Sequence, residues 1–247
     1  MPRDAWKKLP RLFVTGPLAN GQNVRLDPAQ QHYLTNVMRR AAGTQILLCN
    51  GHDGEWLATL EVTGKKSAAA LCTEPTRHQA PEPDLRLLFA PIKRDHLEYM
   101  IQKASELGVA HLQPVMTSHT TAPHINPERL QAIAREAAEQ CERLTLPTLG
   151  EAQPLEDALK YWATDRPLYA CLESGTAQPL AAALSGKSNA PAAILTGPEG
   201  GFSPAEMELI RSHATSIPVS LGPRILRADT AALAALSVWQ ALQGDWR

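Results

Sequence analysis

The spacing of hydrophobic residues changes near residue 85, and the change divides the chain into two regions of different expected structure. Before it, apolar and polar positions alternate, as in Trp56–Val62, which is typical of a strand that buries one face. Asn50–Gly54 carries two turn signals that predict a hairpin. Asp27, with Gln30 three residues later, marks the start of one helix. The expected strands are Arg11–Thr15, Gln45–Asn50, Glu55–Val62 and Ser67–Thr73.

Several short strands with one helix predict a small β-barrel over residues 1–72. The next segment, 73–84, contains Pro75, Pro81 and Pro83 and shows no apolar periodicity. Proline-rich segments of this kind are semi-rigid spacers. We therefore predict an interdomain linker at 73–84.

From residue 85 to 247, apolar stretches of strand length alternate with helical periods. Helix starts are expected at Asp95, at Asn126-Pro127, at Ser203, and at Asp229 or Thr230. Alternation of this kind predicts an α/β domain with a mainly parallel sheet and flanking helices. The expected strands are Leu85–Ala90, Val109–Met116, Leu168–Leu172, Ala192–Leu195 and Ile217–Leu221.

Three irregular segments follow strands of this second region. They are the turn Leu172–Gly175, the glycine-rich Leu195–Phe202 and the segment Leu221–Arg227. Glycines allow sharp turns and close approach of the backbone to a ligand. Because ligands of parallel sheets sit beyond the carboxyl ends of the strands, the three segments predict one shared site. A tight strand-to-helix turn without a ligand is the alternative interpretation of the glycines alone.

Composition places the chain among globular proteins, since 44% of its residues are hydrophobic. No apolar run approaches the roughly 18 residues of a membrane span, and the basic start lacks the apolar centre of a signal peptide. The four cysteines are scattered without metal-ligand spacing, so we expect reduced thiols, no metal site and a cytoplasmic location.

The net charge of −1 conceals an asymmetry. Residues 1–72 hold nine Lys and Arg against five Asp and Glu, whereas the remainder holds fifteen against twenty. A basic front region on an acidic body fits an RNA-docking module, although a solvated charged surface would have the same composition. The candidate RNA contacts are Arg3, Arg11, His32, Arg39 and Arg40.

The glycine-rich segment lacks the Gly-Lys-Ser/Thr of a phosphate-binding loop, and it comes too late in the chain for a dinucleotide fingerprint. Glu199 within it, with Glu173 nearby, would repel a pyrophosphate. Backbone groups with a carboxylate suit a ligand that is neutral or cationic at its reactive end. S-adenosylmethionine has that character, but the residues alone do not identify the ligand.

The pairing of Thr196–Phe202 with Leu221–Arg227 resembles the SPOUT class of RNA methyltransferases. More narrowly, the chain resembles the ribosomal RNA small subunit methyltransferase E family, which methylates N3 of a uridine in 16S rRNA. Lys103–Val109 and Glu136–Arg143 also match, as do short pieces near the start, so the resemblance spans nearly the whole chain. Two departures are Asp229, where the family usually has Glu, and Ser118-His119, where an Arg is expected.

The resemblance implies a knotted SPOUT domain after a PUA-like RNA-binding barrel. It also implies a homodimer, 16S rRNA as substrate and S-adenosylmethionine as methyl donor. Uridine N3 must lose a proton before it can attack, so a base or a charge-stabilising cation is needed. Arg227 is the candidate cation, and Glu199 is the second candidate catalytic residue. Donor contacts are expected from Leu172, Glu173, Leu195, Thr196, Gly197, Glu199, Gly200, Gly201, Leu221, Gly222, Ile225, Leu226, Arg227, Thr230 and Ala231.

Two other functions stay open from the sequence. One is methylation of tRNA or of a ribose 2′-hydroxyl by an enzyme of the same class. The other is RNA binding without catalysis on the same fold. A nucleotide-dependent oxidoreductase is disfavoured, because the early glycine fingerprint of such enzymes is missing.

Overall fold

The computed structural model describes residues 6, 8–64, 67–121, 125–172, 177–186 and 191–246. The chain forms two compact units. The first comprises Met1–Pro81 together with Ala138–Leu146, and the second comprises Glu82–Ala137 together with Pro147–Arg247. The segment Ala138–Leu146, which the sequence pattern assigned to the second domain, is therefore part of the first unit.

The first unit is built on a five-stranded sheet with strand order β1-β3-β4-β5-β2. β1 runs parallel to β3, and the remaining neighbours are antiparallel. Residues of alternating position, such as Ile46, Leu48 and Leu60, are buried in its core, as the periodicity predicts. The strands are β1 (Arg11–Phe13), β2 (Asn23–Arg25), β3 (Gln45–Cys49), β4 (Glu55–Gly64) and β5 (Ser67–Arg77).

The helix α1 of this unit begins as the sequence predicts. α1 (Pro28–His32) has Asp27 as its N-cap, and the Asp27 and Gln30 side chains each accept a hydrogen bond from the other's backbone amide in a full capping box. A π-helical turn, Tyr33–Val37, continues α1 and buries Leu34. Arg39 follows with a positive φ of 54°.

The predicted linker is wrong over its first part, because β5 continues through Pro75 to Arg77. Pro75 pairs with Trp56, and the register of β4 and β5 shifts on both sides of that pair. Such irregularities let a proline remain in a strand, since it need not donate to the ladder there. A prediction from proline content alone therefore placed the start of the linker too early in the chain.

A buried ion cluster lies in the first unit. Arg11 donates from Nε to Glu55 Oε2 at 2.6 Å, and Arg77 donates from Nη2 to the same oxygen at 2.7 Å. The Arg11 and Glu55 side chains are 8% and 4% exposed. Burial alone would raise the pKa of Glu55, but the hydrogen bonds from Arg77 and Arg11 outweigh it and hold the pKa below its usual value.

The residues 138–146 complete a small apolar cluster of the same unit. Phe13 and Cys49 are buried there against Ala138, Leu144 and Leu146. The Phe13 amide also donates to a carboxylate oxygen of Glu139 at 2.8 Å.

The second unit contains an eight-stranded sheet, with strand order β11-β13-β10-β12-β6-β7-β8 and β9 paired to β7. All its pairs are parallel, as predicted. The strands are β6 (Leu85–Phe89), β7 (His111–Met116), β8 (Thr148–Leu149), β9 (Gln153–Pro154), β10 (Leu168–Cys171), β11 (Gln178–Pro179), β12 (Ala192–Thr196) and β13 (Ser216–Ser220). The helices are α2 (Arg94–Glu106), α3 (Pro127–Gln140), α4 (Leu155–Lys160), α5 (Leu180–Ala183), α6 (Pro204–Ser212) and α7 (Ala228–Leu242).

Helices cover both faces of this sheet. Leu87 and Ile194 point into the core formed with α2, α3, α5 and α7. Their neighbours Leu88 and Leu195 point into the opposite core, formed with α4 and α6. Both faces are buried, which explains why these strands are continuous apolar runs rather than alternating ones.

Two helix starts differ from prediction by two residues. α2 has Lys93 rather than Asp95 as its N-cap, and α7 has Arg227 rather than Asp229 or Thr230. Neither N-cap side chain makes a capping hydrogen bond, so the side-chain rule misplaces both starts. Ser203 caps α6 with Glu206 in a capping box, as predicted.

Two further properties bear on the expectations from composition. No helix among the described residues combines the length and apolar character that a membrane crossing requires. All four cysteines are free, with Cys49 and Cys72 buried.

We expect Glu55→Gln to lower the free energy of unfolding by about 3 kcal/mol, because it leaves two buried guanidinium groups without a full counter-charge. The loss should shrink as pH falls below about 4.3, where the wild-type carboxylate begins to be protonated in the unfolded chain. Urea unfolding at several pH values measures it. Glu74→Gln, at an exposed position of β5, is the matched control. Equal stability of the two variants would contradict the prediction.

Candidate functional site

Three parallel strands end side by side in the second unit. β10 lies between β12 and β13, and Leu168 is in register with both Ala193 and Ser216. The loops that leave β12 and β13 line a cavity of about 470 Å³, together with Cys171 and Leu172 at the end of β10. The predicted convergence of the two glycine-bearing loops is therefore present, whereas residues 173–175 of the third predicted segment lie outside the described residues.

Most of the predicted donor contacts line this cavity. Leu195 does not, because its side chain is buried in the core formed with α4 and α6. Thr230 is exposed on α7 and also lies outside the lining, and Glu173 falls outside the described residues. The predicted residues in the lining are Leu172, Thr196, Gly197, Glu199, Gly200, Gly201, Leu221, Gly222, Ile225, Leu226, Arg227 and Ala231.

Nine further residues among those described line the cavity without having been predicted as donor contacts. All but Met207, which lies on α6, either end the parallel strands or stand beside predicted positions, so a rule that includes the last residues of each strand finds several of them. They are Cys171, Pro198, Phe202, Met207, Val219, Ser220, Pro223, Arg224 and Ala228.

Close packing explains the glycines of the first loop. A Cβ atom on Gly197 would lie 3.0 Å from the Phe202 ring, and one on Gly200 would lie 3.2 Å from His119 Cβ. Gly201 has a φ of 67°, in the left-handed region that favours glycine. In the second loop, Gly222 adopts a φ of 108°.

A turn at residues 117–120 holds the glycine loop from the side. His119 Nδ1 lies 3.0 Å from the Gly200 carbonyl oxygen and 3.1 Å from that of Gly201. The Ser118 amide donates to Glu206 Oε1 at 2.7 Å, and Glu206 Oε2 accepts from the Ser203 amide. The departure from the family pattern at Ser118-His119 thus supports the loop through hydrogen bonds.

The two candidate catalytic residues are both exposed at the cavity. Glu199 accepts a hydrogen bond from the Lys93 amide at 3.2 Å. The Arg227 side chain makes no hydrogen bond or ion pair with the described part of the chain, and its backbone forms the N-cap of α7. A free guanidinium at the end of the second loop is available to a bound anion.

Asp229 is neither an N-cap nor solitary. It lies in the first turn of α7, where Oδ1 accepts from the Thr230 amide and Oδ2 lies 2.9 Å from His96 Nδ1. The two residues are 133 positions apart, so no local pattern signals their pairing.

The candidate RNA contacts of the first unit divide into three groups. Arg3 falls outside the described residues. His32 and Arg39 are exposed, and Arg40 is partly buried. The prediction that Arg11 contacts RNA is corrected, because its buried guanidinium is paired with Glu55 and is not available to a phosphate.

Known proteins share this arrangement. A profile described as an RNA methyltransferase domain matches residues 79–240, and a profile described as an RNA methyltransferase PUA domain matches residues 26–71. The ribosomal RNA small subunit methyltransferase E of Rickettsia conorii is 34% identical, over 93% of this chain and 94% of that protein. The chain belongs to the ribosomal RNA small subunit methyltransferase E family.

Another family member, from Synechocystis sp., is 36% identical, over 94% of this chain and 77% of its own. The crystal structure of a methyltransferase E from Neisseria gonorrhoeae, bound to S-adenosyl methionine, superposes with a TM-score of 0.86 at 28% identity and covers 97% of this chain and 100% of that one. A putative methyltransferase from Legionella pneumophila, in complex with the same cofactor, gives a TM-score of 0.83 at 30% identity over 96% and 99% of the two chains. As in this family, a PUA-like domain accompanies a SPOUT-type domain here.

Glu206→Gln should destabilise the second unit by about 1–2 kcal/mol, because a carboxamide has one acceptor oxygen for two backbone amides. Burial alone would raise the pKa of Glu206, but the amides of Ser203 and Ser118 outweigh it and lower the pKa. Urea unfolding gives the loss, and faster hydrogen exchange of the Ser118 amide locates it. Glu208→Gln, exposed on the same helix, is the control. An unchanged exchange rate would mean that this carboxylate does not hold the turn.

Proposed function

We propose that this chain transfers a methyl group from S-adenosylmethionine to N3 of a uridine in 16S rRNA. Membership of the methyltransferase E family and the cavity between the two loops support the proposal. The cavity is the observation that carries it, because it lies where both characteristic loops meet and is open to a small molecule.

The cavity suits the methyl donor in size and chemistry. Its volume of about 470 Å³ lies within the range of roughly 300–1,000 Å³ typical of small-molecule sites. Apolar side chains such as Leu172, Met207 and Leu221 can cover an adenine, and the glycine loops offer backbone amides and carbonyls. When bound, the donor supplies an electrophilic methyl group on a sulfonium.

The residues of the chain then have to position the uracil and manage its charge. Removal of the N3 proton leaves negative charge on the ring, and the exposed Arg227 guanidinium can stabilise that charge. The carboxylate of Glu199 lies on the opposite loop, where it can orient the cationic end of the donor. Alignment of N3 with the methyl carbon lowers the barrier further.

The first unit is proposed to bind the rRNA. His32 lies in α1, and Arg39 and Arg40 follow the π-helical turn. His32 and Arg39 are exposed, and Arg40 is partly buried. Cationic side chains of this kind contact phosphates without reading sequence.

We further propose that the enzyme is a homodimer in the cytoplasm. Ile225, on the second loop, is 83% exposed, and an exposed large apolar side chain beside the cavity favours a subunit contact there. Leu242 and Trp246, which are 39% and 55% exposed, lie at the other end of α7.

Arg227→Ala should lower the rate of 16S rRNA methylation by about 100-fold or more, because one charge-stabilising group is lost. Donor affinity should fall less, since the guanidinium acts on the uracil. Single-turnover assays with mass spectrometry of the rRNA measure the rate, and calorimetry measures donor binding. Arg135→Ala, exposed on α3, is the control. If the wild-type protein methylated tRNA or a ribose 2′-hydroxyl instead, the alternative activity of the same class would be supported. If it bound the donor but methylated no RNA, a non-catalytic role would be supported.

Reversal of charge at both Arg39 and Arg40 to Glu should weaken rRNA binding and reduce the salt slope of log K by about 1.4, since each of the two lost phosphate contacts to a single strand is worth about 0.7. Filter binding at several salt concentrations measures both values. Arg25→Glu is the control, because it reverses a charge at another exposed position of the same unit, on β2. The same slope for the double variant and the wild type would exclude these residues from the interface.

A further inference from the structure

An imidazole–carboxylate pair joins the first turn of α2 to the first turn of α7, and the proposed function assigns it no role. His96 Nδ1 and Asp229 Oδ2 are 2.9 Å apart, and their side chains are 41% and 13% exposed. His96 belongs to the first turn of α2, and Asp229 belongs to the first turn of α7. Asp229 directly follows Arg227 and Ala228, which line the cavity.

The start of α2 is bonded to the glycine loop and to the first turn of α7. The Lys93 amide, at the N-cap of α2, donates to Glu199 on the glycine loop, and His96 pairs with Asp229 of α7. His96 is not itself in the cavity wall, but its partner Asp229 is two residues from Arg227 and one from Ala228, which are both in that wall.

The pairing fixes which ring nitrogen of His96 can accept a proton. Burial alone would raise the pKa of Asp229, but the hydrogen bonds from His96 and the Thr230 amide outweigh it and lower the pKa. An ionised carboxylate accepts, so Nδ1 carries the hydrogen and Nε2 carries a lone pair. Within the described parts of the chain, Nε2 makes no hydrogen bond that would occupy this lone pair.

We propose that His96, oriented by Asp229, is the base that removes the proton from uridine N3. The inference rests on the proposed function. The N3–H bond breaks and its proton passes to Nε2 of His96. The N3 electron pair forms the bond to the methyl carbon, while the bond from that carbon to sulfur breaks and its electrons stay on sulfur. The imidazolium, stabilised by Asp229, returns its proton to water.

Other bases near the cavity fit this role less well. A carboxylate is a weaker base than an imidazole, whose ordinary pKa lies near neutral pH. Among the described residues, His119 Nε2 makes no hydrogen bond either, but its Nδ1 faces the carbonyls of Gly200 and Gly201 rather than a carboxylate. A carboxylate stabilises an imidazolium more than carbonyl dipoles do. The charged residues on α2 with its N-cap, on α7 and in the two loops are Lys93, Arg94, Asp95, Glu98, Lys103, Glu106, Glu199, Arg224, Arg227 and Asp229.

The test compares single-turnover methylation of 16S rRNA at saturating donor in four variants. His96→Gln and His96→Ala should lower the rate by about 100-fold or more at neutral pH. Asp229→Asn should lower it less, and Asp95→Asn, the same change at an exposed position one residue from His96, should leave it near wild type. Calorimetry should find donor binding retained in all four.

Two readouts separate a base from a structural residue. Added imidazole should restore part of the rate of His96→Ala but not of Arg227→Ala. Nitrogen NMR of the wild-type protein should find the His96 Nε2 unprotonated above neutral pH, and Asp229→Asn should alter that tautomer.

Several results would overturn the proposal. Near-normal methylation rates in both His96 variants would overturn it while leaving the proposed function intact. Loss of donor binding in the His96 variants, or failure of imidazole to restore the rate of His96→Ala, would have the same meaning. If His119→Ala instead lost the methylation rate and imidazole restored it, the base would be His119. No methylation by the wild type would reject both the base and the proposed function.

Discussion

The parallel register of β13, β10 and β12 is the constraint on which the site depends. Leu168 of the central strand is level with Ser216 on one side and Ala193 on the other, so all three strands end at the same edge. Segments far apart in sequence, 197–202 and 221–227, are brought to one cavity by this register. Hydrophobic cores on both faces hold the strands in place, while the edge itself is left to loops.

The loops are held by polar contacts as well as by the apolar packing of Phe202 and Leu221 against the two cores. The first turn of α2 bonds to Glu199 and to Asp229, and the turn at 117–120 bonds to the glycine carbonyls and to Glu206. Each contact uses a directional donor and acceptor, which fixes backbone position more sharply than apolar contact does. The cavity wall is thereby shaped in advance of any ligand, which lowers the entropic loss on binding.

Local patterns predicted much of this arrangement. The capping boxes at Asp27 and Ser203, the apolar parallel strands and the convergence of the two loops all follow from neighbouring residues. The end of β5 does not follow from local patterns, because a register shift accommodates Pro75. The starts of α2 and α7 do not follow from them either, because neither helix uses a side-chain cap. The family resemblance supplied the ligand class, which periodicity does not encode.

Long-range pairs explain the remaining differences. Arg11 reads as a surface cation in the sequence, yet Glu55, 44 positions away, holds it in the interior. His96 and Asp229 are likewise joined only by folding, and neither was singled out as a partner of the other. Pairs at such separations depend on topology, so they become visible only with the structure.

The composition of the first unit limits how the chain can be divided. A fragment ending at Pro81 would lack Ala138, Leu144 and Leu146, and would leave Phe13 and Cys49 without their apolar cover. Deletion mapping at that boundary would thus yield a damaged first unit rather than an isolated one. By the same logic, exchange of this unit between enzymes by recombination requires two separate pieces of the gene to move together.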